Sequence, residues 1–347
     1  MTSPFPTLSV LDLVPVRTNQ ETSAAIDATR SLVRAADRLG YHRYWVAEHH
    51  NMPAVAATNP PVLISMLAAI TERIRLGSGG VMLPNHAPLV VAEQFALLEA
   101  AYPGRIDLGI GRAPGTDPVT SFALRHGAGG VDDEAVGRFP EYVENVIAMM
   151  DQAGVGISVA GRTHELKATP RAASRPQTWL LGSSDYSARL AAEKGLPYVF
   201  AHHFAGRGTA EAIELYRRTF RPSDISSEPR TFLTVNASVA EDADLAARLA
   251  LPQMHMMTLL RTGQPLTSQL LIEEAEEALS SLDTSMIDSM RKSWVIGDPE
   301  GARKQIAELA ATYGVDEVMV NPVGGAFADT PLDEVPSRVD TLELLVR

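Results

Sequence analysis

The chain has no cysteine. That absence excludes disulfide scaffolds, thiolate-bound zinc, cysteine-ligated iron–sulfur clusters and cysteine nucleophiles. Any redox chemistry must then come from a bound organic cofactor. Long apolar runs are also missing. Nothing approaches the roughly 18 residues of a membrane span, and the opening MTSPFPTLSV has no basic stretch followed by an apolar one, so no secretory signal is expected. A cytoplasmic protein with no membrane partner is predicted. No H-x-H pair or H-E-x-x-H helix occurs, which argues against a metal site. Positive charge is in deficit, with 30 Lys and Arg against 42 Asp and Glu and a formal charge of −12. That balance disfavours nucleic acid as a partner and leaves room for a local basic pocket. No repeat at a fixed period and no low-complexity segment is visible.

What is present is 347 residues of which 45% are hydrophobic, enough to bury a sizeable core. Strand and helix patterns alternate from the start, the sign of βα units around a parallel sheet. Strands are predicted near Leu8–Leu13, Arg43–Ala47, Arg75–Gly79, Arg105–Ile110, Thr178–Leu181, Tyr198–Ala201, Phe232–Val239 and Glu317–Val320. Apolar residues three and four apart predict helices at Ser23–Leu39, Val62–Thr71, Pro88–Ala101, Phe139–Ala153, Ser184–Lys194 and Pro299–Tyr313. The last opens on Asp298-Pro299, an N-cap followed by proline at the first helical position. Eight strands favour an α/β fold of the (β/α)8 TIM-barrel type, a single domain over residues 1–347. The excess length falls in insertions near 113–138, 155–176 and 262–292, and loops this long are usually lids or disordered. The third contains the acidic run Ile272–Leu279, read as a solvated helix or, alternatively, as a lid.

Three strand ends carry chemistry. Glu48, His49 and His50 follow the second strand, where alternation turns neighbouring histidines in different directions. The inward one is a general acid/base candidate, and a pair of merely hydrogen-bonded loop histidines is the alternative. Gly79-Gly80 ends the third strand, as a platform for a flat ring or as a simple bulge. Gly109-Ile110-Gly111-Arg112 is no dinucleotide fingerprint, because Pro114 and Pro118 interrupt the helix that would receive a pyrophosphate. Arg112 suits a phosphate, or a surface ion pair. Gly182-Ser183-Ser184-Asp185-Tyr186-Ser187 leads from the fifth strand into a helix, whose N-terminus attracts an anion. Its serines serve equally as plain N-caps. Together with Arg112 a phosphate monoester is the more economical explanation. His202 and His203 close the sixth strand, adding polarity to the pocket or packing against the sheet.

In this order, these stretches resemble the bacterial luciferase-like flavin-dependent monooxygenase superfamily, especially its group-1 luciferase family oxidoreductases. The similar segments are LSVLDL (8–13), 40–51, 76–84, 104–112, 181–203 and 294–322. The resemblance implies a homodimeric (β/α)8 barrel binding FMN at its C-terminal mouth. It matches Arg112 to the phosphate-binding arginine, Ser183, Ser184 and Ser187 to positions around the phosphate, and Gly79-Gly80 to a strand end beneath the isoalloxazine where a cis peptide is typical. His49 matches the histidine acting near the reactive carbon of the flavin. The implied reaction uses reduced FMN and O2 to oxygenate a small organic substrate through a C4a-(hydro)peroxyflavin, with reduced flavin supplied by a separate NAD(P)H-dependent reductase. Gly111 stands where the luciferase α subunit has a reactive cysteine, so light emission is not expected.

Two alternatives stand beside this one. A sister branch of the barrel uses F420 for hydride transfer, and the neutral serines with one arginine fit the FMN monoester better than the more acidic F420 tail. The other is a non-catalytic flavin-binding protein. Apolar residues of Val62–Ala69 and Val90–Ala101 exceed what a barrel core needs and suggest the pairing face of the dimer.

Overall fold

Short apolar strands that alternate with helices close here into a ring. The computed structural model describes residues 5–113, 116–125, 134–151, 154–205, 207–279 and 285–347. Its strands are β1 (Thr7–Asp12), β2 (Arg43–Val46), β3 (Arg75–Ser78), β4 (Val81–Met82), β5 (Ile106–Gly111), β6 (Val155–Val159), β7 (Arg162–Leu166), β8 (Gln177–Gly182), β9 (Tyr198–Phe200), β10 (Thr231–Val239), β11 (Val295–Gly297) and β12 (Glu317–Pro322). The ring runs β1, β2, β3, β5, β8, β9, β10, β12 and back to β1, with every neighbour parallel. These eight are the strands expected from the sequence, and the fold is the (β/α)8 barrel. β4 resumes the third strand after Gly79-Gly80 and pairs with β5, while β11 lies along the end of β10.

Alternation along the strands splits the side chains between two cores. Outward residues meet the helices in one large apolar cluster, and Leu11, Trp45, Trp179, Val199, Phe232 and Met319 fill the barrel. Trp45 meets Trp179 and Phe232 edge to face, and Trp179 and Phe232 are tilted to each other, with ring centres 5.0–6.0 Å apart. Below them Arg43 is buried, donating to Asp107 at 2.6 Å and Glu317 at 2.7 Å while its guanidinium sits 4.8 Å from the Trp179 ring centre. Gly77 is glycine for this layer's sake: a Cβ there would lie 2.6 Å from Trp45 Nε1.

Local signals explain the helix ends. Thr22–Leu39 stops at Gly40, whose φ of 82° lets its N–H return to the carbonyls of Ala36 and Asp37. Asp298 caps Pro299–Tyr313 by accepting from the Gly301 N–H at 2.7 Å, as its position before proline suggested. The other predicted helices appear as Pro60–Ala68, Pro88–Ala101, Phe139–Met150 and Asp185–Lys194.

The insertions depart most from expectation. In the first, residues 114–115 and 126–133 lie outside the described residues, and the helices Pro118–Leu124 and Glu134–Gly137 occupy part of the rest. The second is no irregular loop, because β6 and β7 form an antiparallel hairpin that pairs only with itself. In the third, Ile272–Leu279 is helical but docked. Its glutamates keep to the solvent side while Ala275 and Leu279 join Ile287, Met290 and Trp294 in a second apolar cluster. Gln269 ties this insertion to the loop after β1, its N–H donating to Val16 O at 2.8 Å. His202 and His203 do not close a strand either; they begin a short helix, His202–Ala205, just after β9. Among the described residues no helix is long and apolar enough to cross a membrane.

Candidate active site

All parallel strands deliver their C-terminal ends to one mouth, and the chemistry-bearing residues gather there. Glu48, two residues past β2, is fully buried and acts as a hub. Its Oε1 accepts from His50 Nε2 at 2.8 Å and from His86 Nε2 at 2.7 Å, and its Oε2 accepts the Met82 N–H at 2.9 Å. Burial opposes its charge, but the hydrogen bonds from His50 and His86 outweigh burial and hold its carboxyl down to about 2. Sequence reasoning missed His86, which lies far along the chain and follows β4, whose Met82 N–H also reaches Glu48. The donor atoms of Glu48, His50 and His86 lie within 4.8 Å of one another. This is a set with ligand chemistry, and in this structure its members are spent on each other.

The two adjacent histidines of the motif are separated by the hub. His50 is engaged by Glu48; His49 points elsewhere, and its Nδ1 is shielded from water without a partner. Burial pushes His49 down to about 4, against the pull of the Glu48 charge, so its imidazole is neutral at physiological pH. Of the motif it is the member left with uncommitted polar capacity.

Gly79 and Gly80 follow β3, joined by a cis peptide. Their lack of side chains is demanded by neighbouring strands. A Cβ on Gly79 would come within 2.8 Å of Leu11 Cδ1, and one on Gly80 within 2.8 Å of the Gly109 carbonyl oxygen. The glycines thus let the strand end pack tightly, a reason that periodicity could not supply.

On the adjacent strand, Arg112 emerges from β5 and lays its guanidinium 4.1 Å from the Tyr186 ring centre. No carboxylate pairs with it among the described residues. Tyr186 belongs to the first turn of Asp185–Lys194, so the contact places the arginine at that helix N-terminus. Ser184 occupies the N-cap position without capping through its side chain, leaving first-turn N–H groups open. Ser183 and Ser184 are exposed. Ser187 is not brought to the anion position by its hydroxyl: it is buried and donates to Ser184 O at 2.9 Å. It folds over Gly182, where a Cβ would lie 2.0 Å from Ser187 Oγ.

The pair after β9 also splits. His202 turns into the helix layer, its Nδ1 2.7 Å from Thr209 Oγ1 and its ring 5.5 Å from that of Tyr313. His203 turns inward, with Nδ1 2.8 Å from Thr234 Oγ1 on β10. A cavity of about 170 Å³ lies elsewhere, on the outer side of the barrel by Met149, Met150 and Arg171, and none of these groups lines it.

Comparison with known proteins gives the family and the fold. The family model described as luciferase-like monooxygenase matches residues 7–317. A luciferase-like monooxygenase of Escherichia coli (strain K12) is 39% identical over 324 residues, covering 92% of each chain. The N-acetyl-S-alkylcysteine monooxygenase of Bacillus subtilis (strain 168) is 32% identical over 322 residues, 92% of this chain and 93% of that one. Among solved structures, apo-MsnO8 superposes with a TM-score of 0.85 at 32% identity, covering 98% and 97%. The fold alone is shared with the oxygenating constituent of 3,6-diketocamphane monooxygenase in complex with FMN (TM-score 0.73, 17% identity, 99% and 97% covered). It is shared likewise with an F420-dependent secondary alcohol dehydrogenase (TM-score 0.67, 16% identity, 99% of each covered).

Proposed function

The chain belongs to the luciferase-like monooxygenase family of flavin-dependent oxidoreductases, and from that premise we propose that it is an FMN-dependent monooxygenase. It takes reduced FMN from a separate NAD(P)H-dependent reductase and uses O2 to oxygenate a small organic substrate. The observation that carries this reading is the meeting of Arg112 with the uncapped N-terminus of Asp185–Lys194. One fixed cation and a fan of open backbone N–H groups suit a compact phosphate monoester. The fit is good at Arg112, Ser183, Ser184 and the first-turn amides. At Ser187 it rests on the backbone, since the hydroxyl is spent on Ser184 O.

When bound, reduced FMN supplies the two electrons with which O2 is activated. The protein's share is positional and protic. Arg112 and the helix N-terminus anchor the phosphate; the strand ends at Gly79-Gly80, Leu13 and Leu181 bound the mouth; and Glu48 locks His50 and the β4 backbone in place. His49, neutral and uncommitted at Nδ1, is the group free to accept or return a proton in that space. Thioethers are the first substrate class to screen, by likeness to the 32%-identical relative.

An anaerobic titration with reduced FMN and, in parallel, reduced F420 tests the reading. FMN binding followed by an oxygen-dependent absorbance transient is expected, and Arg112→Ala should weaken FMN binding about tenfold or more, as for loss of a charge-assisted phosphate contact. Tight F420 binding with no oxygen dependence would make the protein a hydride-transfer enzyme instead. FMN binding that leaves oxygen reactivity indifferent to His49→Ala would point to a binding protein.

The protein pairs with a second copy through the helices Pro60–Ala68 and Pro88–Ala101. Val62, Met66, Val90 and Leu97 stand exposed on these two neighbouring helices, an apolar patch with no role in the barrel core.

A further inference from the structure

We propose that His203 is a ligand-contacting residue that distinguishes the reduced from the oxidised flavin ring, by presenting a hydrogen-bond acceptor, Nε2, to the mouth. The inference rests on the FMN reading above and assigns a role to a residue that reading does not use.

The geometry starts at Thr234. Its hydroxyl has two neighbours, His203 Nδ1 at 2.8 Å and the Phe200 carbonyl oxygen at 3.2 Å. A hydroxyl owns one proton, and a carbonyl can only accept. Both contacts are made together in one arrangement: His203 Nδ1–H donates to Thr234 Oγ1, and the Thr234 O–H donates to Phe200 O. The reverse polarity forfeits the contact with Phe200. Nδ1 therefore carries the imidazole proton, and Nε2 carries the lone pair. No described side chain or backbone group donates to Nε2.

The backbone beneath is held as firmly. Asn236 Nδ2 donates to His203 O at 2.9 Å, and Asn321 Nδ2 donates to Asn236 Oδ1 at 2.8 Å. Residues of β10 and β12 thus fix the position of a histidine that follows β9. In the ring β9 stands across from β2, so His203 and His49 face the mouth from opposite walls. They are near enough for a charge on His49 to act on His203. His203 is kept neutral mainly by burial, with the neighbouring His202 and His49 acting in the same sense, so the acceptor persists at physiological pH.

An acceptor fixed in a largely shielded site is satisfied only by a ligand with a donor to offer, and leaving it unpaired carries a cost. Reduction of an isoalloxazine adds ring N–H donors that the oxidised ring lacks. Set against a ring nitrogen that gains its proton on reduction, rather than against the N–H that both forms share, a neutral imidazole acceptor favours the reduced form, and the side chain discriminates through binding rather than chemistry.

Two measurements test this. In the cofactor-free protein, long-range 15N–1H correlation of histidine rings should show His203 as the Nδ1–H tautomer with unprotonated Nε2, and Thr234→Val should allow the other tautomer. A protonated Nε2 in the wild-type protein would overturn the inference. Binding of oxidised and of reduced FMN, measured anaerobically, should favour the reduced form, and His203→Phe should cut that preference roughly two- to tenfold by weakening reduced FMN alone. His203→Gln, which keeps an acceptor, should restore part of it. Equal loss for both forms, or an unchanged ratio, would sink the role of His203 while leaving the FMN reading intact. Failure of the wild-type protein to bind either form would end both.

Discussion

Two histidines of the mouth, His49 and His203, are each lowered from an ordinary 6.5 to about 4, first of all by burial. A depressed histidine stays neutral in the fold while the unfolded chain takes up its proton. Its contribution to stability is therefore complete above pH 6.5 and is lost as pH falls toward 4. Glu48 behaves as a carboxylate lowered from 4.5 to about 2, so its contribution is present above 4.5 and disappears as pH falls through 2. Acid destabilisation should come in two ranges, the histidine range first. Urea midpoints of the cofactor-free protein between pH 7 and 4 should fall less steeply in His49→Ala or His203→Gln than in wild type; an identical slope would contradict the burial of these rings. Little of this was legible beforehand. The EHH motif stood out at a strand end, but that His50 rather than His49 meets Glu48, and that His86 joins them, follows only from the fold.

At the scale of elements, agreement follows the strength of the local signal. Pro88–Ala101 and Pro299–Tyr313 match to the residue, since proline marks their starts and the apolar spacing is unbroken. The hairpin of β6 and β7 was missed although its alternation and the turn at Ala160-Gly161 were present, because an insertion was expected to be irregular. Both of its strands are largely exposed. Replacing residues 158–163 with a tight turn should cost no more than about 1 kcal/mol, a Tm change of a few degrees, and leave FMN affinity unaltered. The third insertion should respond in the opposite way. Met290→Ala opens the second apolar cluster and should cost about 2–5 kcal/mol by chemical denaturation. A small loss there would mean that the insertion is only loosely attached.

For the whole molecule the decisive surface is the apolar face of the helices Pro60–Ala68 and Pro88–Ala101. Leu97 is 56% exposed and Val62 47%, values at odds with large apolar side chains on a monomer's surface, whereas an interface would cover both. Val62→Asp combined with Leu97→Arg should yield a monomer in sedimentation at micromolar concentration, with unchanged far-ultraviolet circular dichroism. A wild-type monomer under the same conditions would remove the dimer.

The number of barrel strands and the fold class were written in the sequence, because burial of a parallel strand on both faces leaves a short apolar run and each βα turn leaves its own local signature. Arg112 and the serine-rich helix start were also visible, as motifs. What only the tertiary structure decided is the partnership among them. Closing the sheet put β9 across from β2, set Arg112 against Tyr186, turned the Ser187 hydroxyl onto Ser184 O and spent His50 on Glu48 while leaving His49 Nδ1 uncommitted. Hydrogen bonds and close contacts between residues distant in the chain are fixed by packing, and packing has no period along a sequence.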